Sequence, residues 1–174
     1  ALVAPRYEPV RRINELTPIA DPTFHESWPG QAWLFDLGQN MTGRVRIKVR
    51  GKVGDTITSR HPEILDEHRK HYVTNLRTAK ATDYYTLRGD PDGEIYEPRF
   101  TFHGFRYVEL KGPMETPTRD SVTGIVLHSD TPPTGSFECS DPLINQLQHN
   151  ITWGQKGNYL EVPTDCPQRD ERLG

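Results

Sequence analysis

The chain has 174 residues and a formal net charge of -3, with a pI near 6.2 and a mean hydropathy of -0.74. That length holds one domain of ordinary size with its own core. The mildly acidic balance argues against a nucleic-acid partner, which needs a dense basic surface to displace phosphate counterions, and no apolar run approaches the roughly twenty residues of a membrane span.

Ala1-Leu2-Val3-Ala4-Pro5 has neither a Met start nor a charged-then-apolar leader and reads as the beginning of an excised fragment, so the compartment stays undetermined. Residues 1 to about 30 carry Pro5, Pro9, Pro18, Pro22 and Pro29 and read as an extended lead-in or linker, with a strand around Arg12 to Leu16. Strands are then predicted near Trp33–Leu37, Arg44–Arg50, Thr56–His61, Asp83–Arg88, Arg99–Leu110 and Ser121–Leu127, each bounded by Gly, Pro or Asp turn signals. In the second of these, Arg44, Arg46, Lys48 and Arg50 alternate with Val45, Ile47 and Val49, the pattern of a half-buried strand with a basic outer face. Strands at this spacing predict a mainly β fold, an antiparallel sandwich or jelly roll.

Three smaller motifs are assigned to structure. His68 and His71 have helical metal-ligand spacing but sit in a charged loop, so no metal is assigned to them. Arg88-Gly89-Asp90-Pro91-Asp92-Gly93 reads as a hairpin turn in preference to a calcium loop. Phe100 and Phe102 share one face of the predicted 99–110 strand and read as core.

After Phe137 the pattern changes. Ser140 or Asp141 caps a helix that Pro142 opens, with Leu143, Ile144, Leu147 and Ile151 on one face and an end near Gly154 or Gly157. That apolar face requires a partner, either the β-domain or a further domain. Three units follow: a lead-in over 1–30, a β-sandwich over 31–135, and a linking helix with an extended tail over 136–174.

The tail, Val162 to Gly174, crowds Asp165, Asp170 and Glu171 with Arg169 and Arg172. Close carboxylates raise one another's pKa, which would let one hold a proton near neutral pH and act as a general acid. The arginines and a helix start near Pro167 would favour the anion instead. The two readings, proton donor and solvated helix start, remain open on the charges alone. Two cysteines, Cys139 and Cys166, are too few for a disulfide framework or a complete thiolate zinc site; Cys166 reads as a buried packing residue.

The order of the tail residues is distinctive. Thr164-Asp165-Cys166-Pro167-Gln168-Arg169-Asp170-Glu171-Arg172-Leu173-Gly174 resembles the signature of the bacterial α-L-rhamnosidases, which runs through an Asp-Cys-Pro-x-Arg-x-Glu core. Phe35-Asp36-Leu37-Gly38-Gln39-Asn40-Met41-Thr42-Gly43, Asn75 to Asp83 and Pro98 to Val108 are similar to the concanavalin-like β-domain of the same family. The resemblance implies an inverting glycoside hydrolase acting on rhamnose-containing glycosides or polysaccharides. It implies Glu171 as general acid, Asp165 and Arg169 as contacts to the sugar, and no cofactor or metal. It also implies that a C-terminal catalytic barrel of the same chain is missing here, so that this chain alone would be inactive. The alternative is a non-catalytic carbohydrate-binding or structural β-sandwich module.

Overall fold

The computed structural model describes residues 2–4, 6–26 and 31–169. Ten strands and one long helix occur among them: β1 Val10–Leu16, β2 Thr23–Glu26, β3 Gln31–Val49, β4 Thr56–Arg60, β5 Thr82–Thr86, β6 Glu94–Tyr96, β7 His103–Lys111, β8 Val122–Ser129, α1 Pro142–Gly157, β9 Tyr159–Leu160 and β10 Val162–Pro163. The first eight strands form one antiparallel sheet in the order β1-β8-β3-β7-β4-β5, with β2 and β6 also pairing with β3. The architecture is the mainly β, antiparallel one that the strand spacing predicts, with a single C-terminal α-helix.

The 19-residue β3 organises the sheet. The Gly38-Gln39-Asn40 turn signal predicts a break between two strands, but the chain stays extended and takes up the extra residues as a register shift against β7 between Asp36 and Met41. Gly38 has φ of 76°, and a Cβ there would stand 2.7 Å from Ile19 Cγ2. Arg106 donates from Nε and Nη2 to the two Asp36 carboxylate oxygens, each at 2.8 Å, and the Gly38 amide donates to the same carboxylate at 2.7 Å. Burial works against the Asp36 anion, but these donors outweigh it and hold the carboxyl below its usual range. Before the bulge β3 pairs with β2 and β7, and after it with β7 again, then with β8 and β6.

Beyond the bulge the alternation is as predicted. Val45, Ile47 and Val49 are buried with Phe35, Ile57, Phe105, Val108 and Val122 in one core. Arg44 and Arg46 point outward and share Glu97 at 2.8 and 3.1 Å, and Arg46 also meets Glu15 of β1 at 2.8 Å. Arg44 and Arg46 of the basic stripe are therefore spent on tying β3 to β1 and to the residue that follows β6.

Three readings change and one open alternative is closed. The lead-in is not simply an extended linker: the strand expected around Arg12 to Leu16 is β1, paired with β8, and β2, which was not expected, pairs with β3. β7 begins only at His103, so Phe100 lies fully exposed and Phe102 is 39% exposed, outside the core. Pro98 has no amide hydrogen to continue a ladder, and the Arg99 carbonyl is taken by Arg44. The 88–93 segment is a turn, with the Gly93 amide donating to the Asp90 carbonyl at 3.0 Å, but it is not a hairpin, because β6 crosses to β3 and leaves β5 beside β4. Finally, the apolar stripe of α1 is not covered by the sheet: Leu143, Ile144, Leu147 and Ile151 are 78, 46, 56 and 54% exposed.

The helix is capped as predicted, with the Asp141 carboxylate accepting from the Leu143 amide at 2.8 Å. It meets the sheet through its other side, where His149 bonds Gln39 at 3.1 Å and Trp153 packs on the core. Among the described residues no helix is long and apolar enough to cross a membrane.

The turn before β6 explains the Asp-Pro-Asp-Gly motif. Glu94, 1% exposed, accepts from the Tyr85 hydroxyl at 2.6 Å and from the amides of Arg88 at 2.9 Å and Gly89 at 2.8 Å. The Tyr85 bond first, then these amides, outweigh burial and hold its pKa down to about 2. The folded state therefore gains from the Glu94 anion above the ordinary glutamate pKa and loses that gain as pH falls toward about 2. Glu94→Gln presents an amide to donors that need an acceptor. It is expected to lower the thermal midpoint at pH 7 by several degrees and to remove part of the acid sensitivity; equal midpoints in calorimetry would refute the assignment.

Candidate active site

The tail reaches the sheet through three contacts. Thr42, buried in β3, donates its hydroxyl to the Gly157 carbonyl at 2.8 Å, where a Cβ on Gly157 would stand 3.0 Å from Thr42 Oγ1. The two-residue ladder of β9 and β10 follows, turned by Glu161 at φ 69°, whose amide donates to Ser129 Oγ at 2.8 Å. The Thr164 amide returns to the Asn158 carbonyl at 2.7 Å and closes the loop.

The segment carrying the sugar-contact candidates then lies against the first residues of β7. The Gly104 amide donates to the Pro167 carbonyl at 2.9 Å, and a Cβ at Gly104 would stand 2.9 Å from Gln168 N and 3.2 Å from Pro167. This close approach requires glycine. The Arg169 amide donates to the Cys166 carbonyl at 3.2 Å, a turn at the position where a helix start is predicted. Cys166, expected to be buried, is half-buried, and its thiol lies 3.4 Å from an Asp165 carboxylate oxygen. Glu171, the expected general acid, lies outside the described residues, as does Asp170.

Two cavities flank this segment, and Asp165, Pro167 and Gln168 line both. The first, about 430 Å³, lies between the 163–169 segment and a wall of Ala79, Ala81, Phe102 and His103. The second, about 320 Å³, lies between the same segment, the 39–42 bulge, Glu63 and the end of α1. The structure thus brings Asp165 and Arg169 to one cavity. It also adds two residues that reasoning from the sequence did not place at a site, Phe102 and His103.

His103 of β7 belongs to a cluster with Asp83 of β5 and His61, the residue after β4. Its Nε2 lies 3.1 and 3.2 Å from the Asp83 carboxylate oxygens, and its ring stacks on that of His61 with centroids 4.2 Å apart. The Ala81 carbonyl, 3.0 Å from His61 Nδ1, can only accept, so Nδ1 carries the proton and Nε2 accepts from Ser59 Oγ at 3.3 Å. Burial, reinforced by the neighbouring His103, pushes His61 down to about 3, so it is neutral. Burial opposes the Asp83 anion, yet the His103 bond and the two histidines hold its carboxyl below the usual range. His61, Asp83 and His103 also offer ligand atoms within 4.8 Å of one another, the one group of three metal-ligating residues found among the described residues. Their hydrogen bonds satisfy His61 and the Asp83-facing nitrogen of His103 without an ion. No local signal in the sequence joins three residues about twenty apart. The spaced pair His68 and His71 is not part of such a group: His68 is exposed beside Glu67, while His71 is half-buried, with burial and the Arg60 charge pushing it down to about 4.

Comparison with known proteins gives two family models. Residues 26–128 match the bacterial alpha-L-rhamnosidase concanavalin-like domain, and residues 132–174 match the bacterial alpha-L-rhamnosidase 6 hairpin glycosidase domain. An alpha-L-rhamnosidase of Streptomyces avermitilis is 54% identical over 166 residues, covering 95% of this chain and 16% of that protein. One from Formosa agariphila is 48% identical over 145 residues, covering 82% and 16%. Among solved structures, the Streptomyces avermitilis alpha-L-rhamnosidase complexed with L-rhamnose superposes with a TM-score of 0.90 at 51% identity, over 99% of this chain and 16% of that one. The enzyme from Dictyoglumus thermophilum gives 0.88 at 45% identity, over 97% and 19%. The chain therefore spans about a sixth of the length of the curated relatives it matches.

Proposed function

The chain belongs to the bacterial α-L-rhamnosidase family, and from that premise we propose that it forms the β-domain and the opening of the catalytic domain of a hydrolase releasing terminal α-L-rhamnose from glycosides. The division lies near residue 136, in the exposed, irregular stretch 130–140 between β8 and α1. The observation that carries the reading is the 157–169 segment, held on the sheet by Thr42, Ser129 and Gly104, with Asp165 and Arg169 at a common cavity. The Streptomyces avermitilis relative, solved with L-rhamnose, supports the choice of sugar.

In this reading Asp165 accepts hydrogen bonds from rhamnose hydroxyls and Arg169 donates to them. Glu171 protonates the glycosidic oxygen as the bond to the anomeric carbon breaks. A second carboxylate, from the remainder of the six-hairpin domain, removes a proton from water attacking the opposite face, so the anomeric configuration inverts. Such a pair stands roughly 6.5–9.5 Å apart to leave room for that water. The 174-residue chain alone folds but does not turn over. The match of residues 132–174 to a glycosidase domain favours this reading over a purely carbohydrate-binding module.

The test is hydrolysis of an aryl α-L-rhamnoside followed by proton NMR of the first anomer released. A protein with the complete six-hairpin domain is expected to release β-L-rhamnose and the 174-residue chain to release none. Retained configuration would reject the inverting mechanism, and turnover by the short chain would reject its inactivity.

A further inference from the structure

The 430 Å³ cavity is lined on its β-domain side by Phe102 and His103, which have no assigned role in the reaction. Its size suits a small ligand, since ligand pockets begin near 300 Å³. Phe102 is 39% exposed, although the strand it precedes contributes Phe105 and Val108 to the core at 0%. His103 is only 13% exposed at its side chain, and its orientation is over-determined. Asp83 takes Nε2 from one edge, and the fully buried His61 stacks on the ring face. The Asp83 carboxylate can only accept, so Nε2 carries a proton, and in the neutral ring Nδ1 is the acceptor. Asp83 does not line the cavity and His103 does. The opposite wall holds Asp165 and Arg169 at a fixed offset, because the residue after His103 bonds the Pro167 carbonyl.

We propose that the first residues of β7 form a wall of the sugar site: Phe102 stacks on the apolar face of a 6-deoxyhexose and His103 Nδ1 accepts one of its hydroxyl protons. The two walls then divide the recognition by chemistry. Sugars present C–H groups on one face, and a 6-deoxy sugar adds a methyl group, which an aromatic ring covers better than water does. Hydroxyls at the rim need both donors and acceptors, supplied by Arg169 and Asp165 on one wall and by His103 on the other. Asp83 is a positioning residue in this arrangement, acting through the His103 tautomer. The inference rests on the assignment of Asp165 and Arg169 to the rhamnose site made under Proposed function.

The experiment uses the protein with its complete six-hairpin domain and the variants Phe102→Ala and His103→Phe, the second keeping a ring without an acceptor. Each is expected to raise KM for an aryl α-L-rhamnoside and Ki for free L-rhamnose about tenfold, with kcat changed by less than about threefold. A packing role would instead lower the thermal midpoint and leave Ki unmoved. Unchanged KM and Ki in both variants, beside a wild type that cleaves and binds rhamnose, overturn this wall alone. A wild type that neither cleaves rhamnosides nor binds L-rhamnose overturns the rhamnosidase reading as well.

Discussion

Glu171→Gln, in the protein with its complete six-hairpin domain, is expected to lower kcat on a rhamnoside with a poor leaving group on the order of a hundredfold or more, the scale of a lost general acid. Glutamine keeps the shape of the side chain and cannot give a proton to the departing oxygen. The loss should shrink on a substrate whose phenolate leaves without protonation, because the proton is needed only where the leaving group is basic. The alkaline limb of the wild-type pH profile, where the acid loses its proton, should flatten in the variant. Full activity on the poor leaving group would end the assignment of Glu171. The position then passes to Asp165 or Asp170, the other carboxylates of the same run.

Gly104→Ala is expected to have the second largest effect, about a tenfold loss of kcat/KM with the sheet intact. The backbone at Gly104 is not at positive φ, so alanine fits the strand conformation and the cost falls elsewhere. Its Cβ would stand 2.9 Å from Gln168 N and 3.2 Å from Pro167 atoms. These are backbone and ring atoms, which cannot swing aside as a flexible side chain would. The 165–169 segment must therefore move off β7 by some tenths of an ångström, and displacements of about 1 Å at a reacting centre can cost on the order of a hundredfold. Thr42→Val, which removes the hydroxyl bond to Gly157, should destabilise by about 1 kcal/mol, the net worth of one such bond. Steady-state kinetics with a thermal melt separates the cases: unchanged kcat/KM in Gly104→Ala would show that the β-domain does not set the pose of the motif.

Both substitutions lie where the β-domain meets the C-terminal segment, Gly104 against Pro167 and Thr42 against the end of α1. Leu143, Ile144, Leu147 and Ile151 of α1 are exposed. Full burial of one such side chain is worth about 1.5–3 kcal/mol, so under the proposed function this is the face that the rest of the six-hairpin domain would cover. The helix is held from its other side by Gln39, Thr42 and the core around Trp153.

Much of the fold was legible because its signals are local. The alternation from Arg44 to Arg50 marks a half-buried strand wherever it lies, and Asp141-Pro142 before an apolar stripe marks a helix start whatever it packs on. The order Asp165-Cys166-Pro167-Gln168-Arg169-Asp170-Glu171 likewise identifies the family from covalent sequence alone. The errors came where a distant partner decided the outcome. Gly38-Gln39-Asn40 reads as a break, yet the Arg106–Asp36 pair and Ile19 hold it as a bulge inside one long strand. Phe100 and Phe102 alternate like core residues, yet pairing with β3 starts one residue later, at His103.

By itself the sequence determined the family, the β-rich class and the capped helix, since each depends on the order or spacing of a few residues, and the family resemblance named the candidate acid and sugar contacts. Only the tertiary structure decided that the apolar stripe of α1 faces away from the sheet, that Glu94 is the hub of its turn, and that Asp165 and Arg169 share a cavity with Phe102 and His103. The physical reason is that such pairings join groups tens of residues apart, and their geometry is set by strand register and close packing, which no local pattern of residues records.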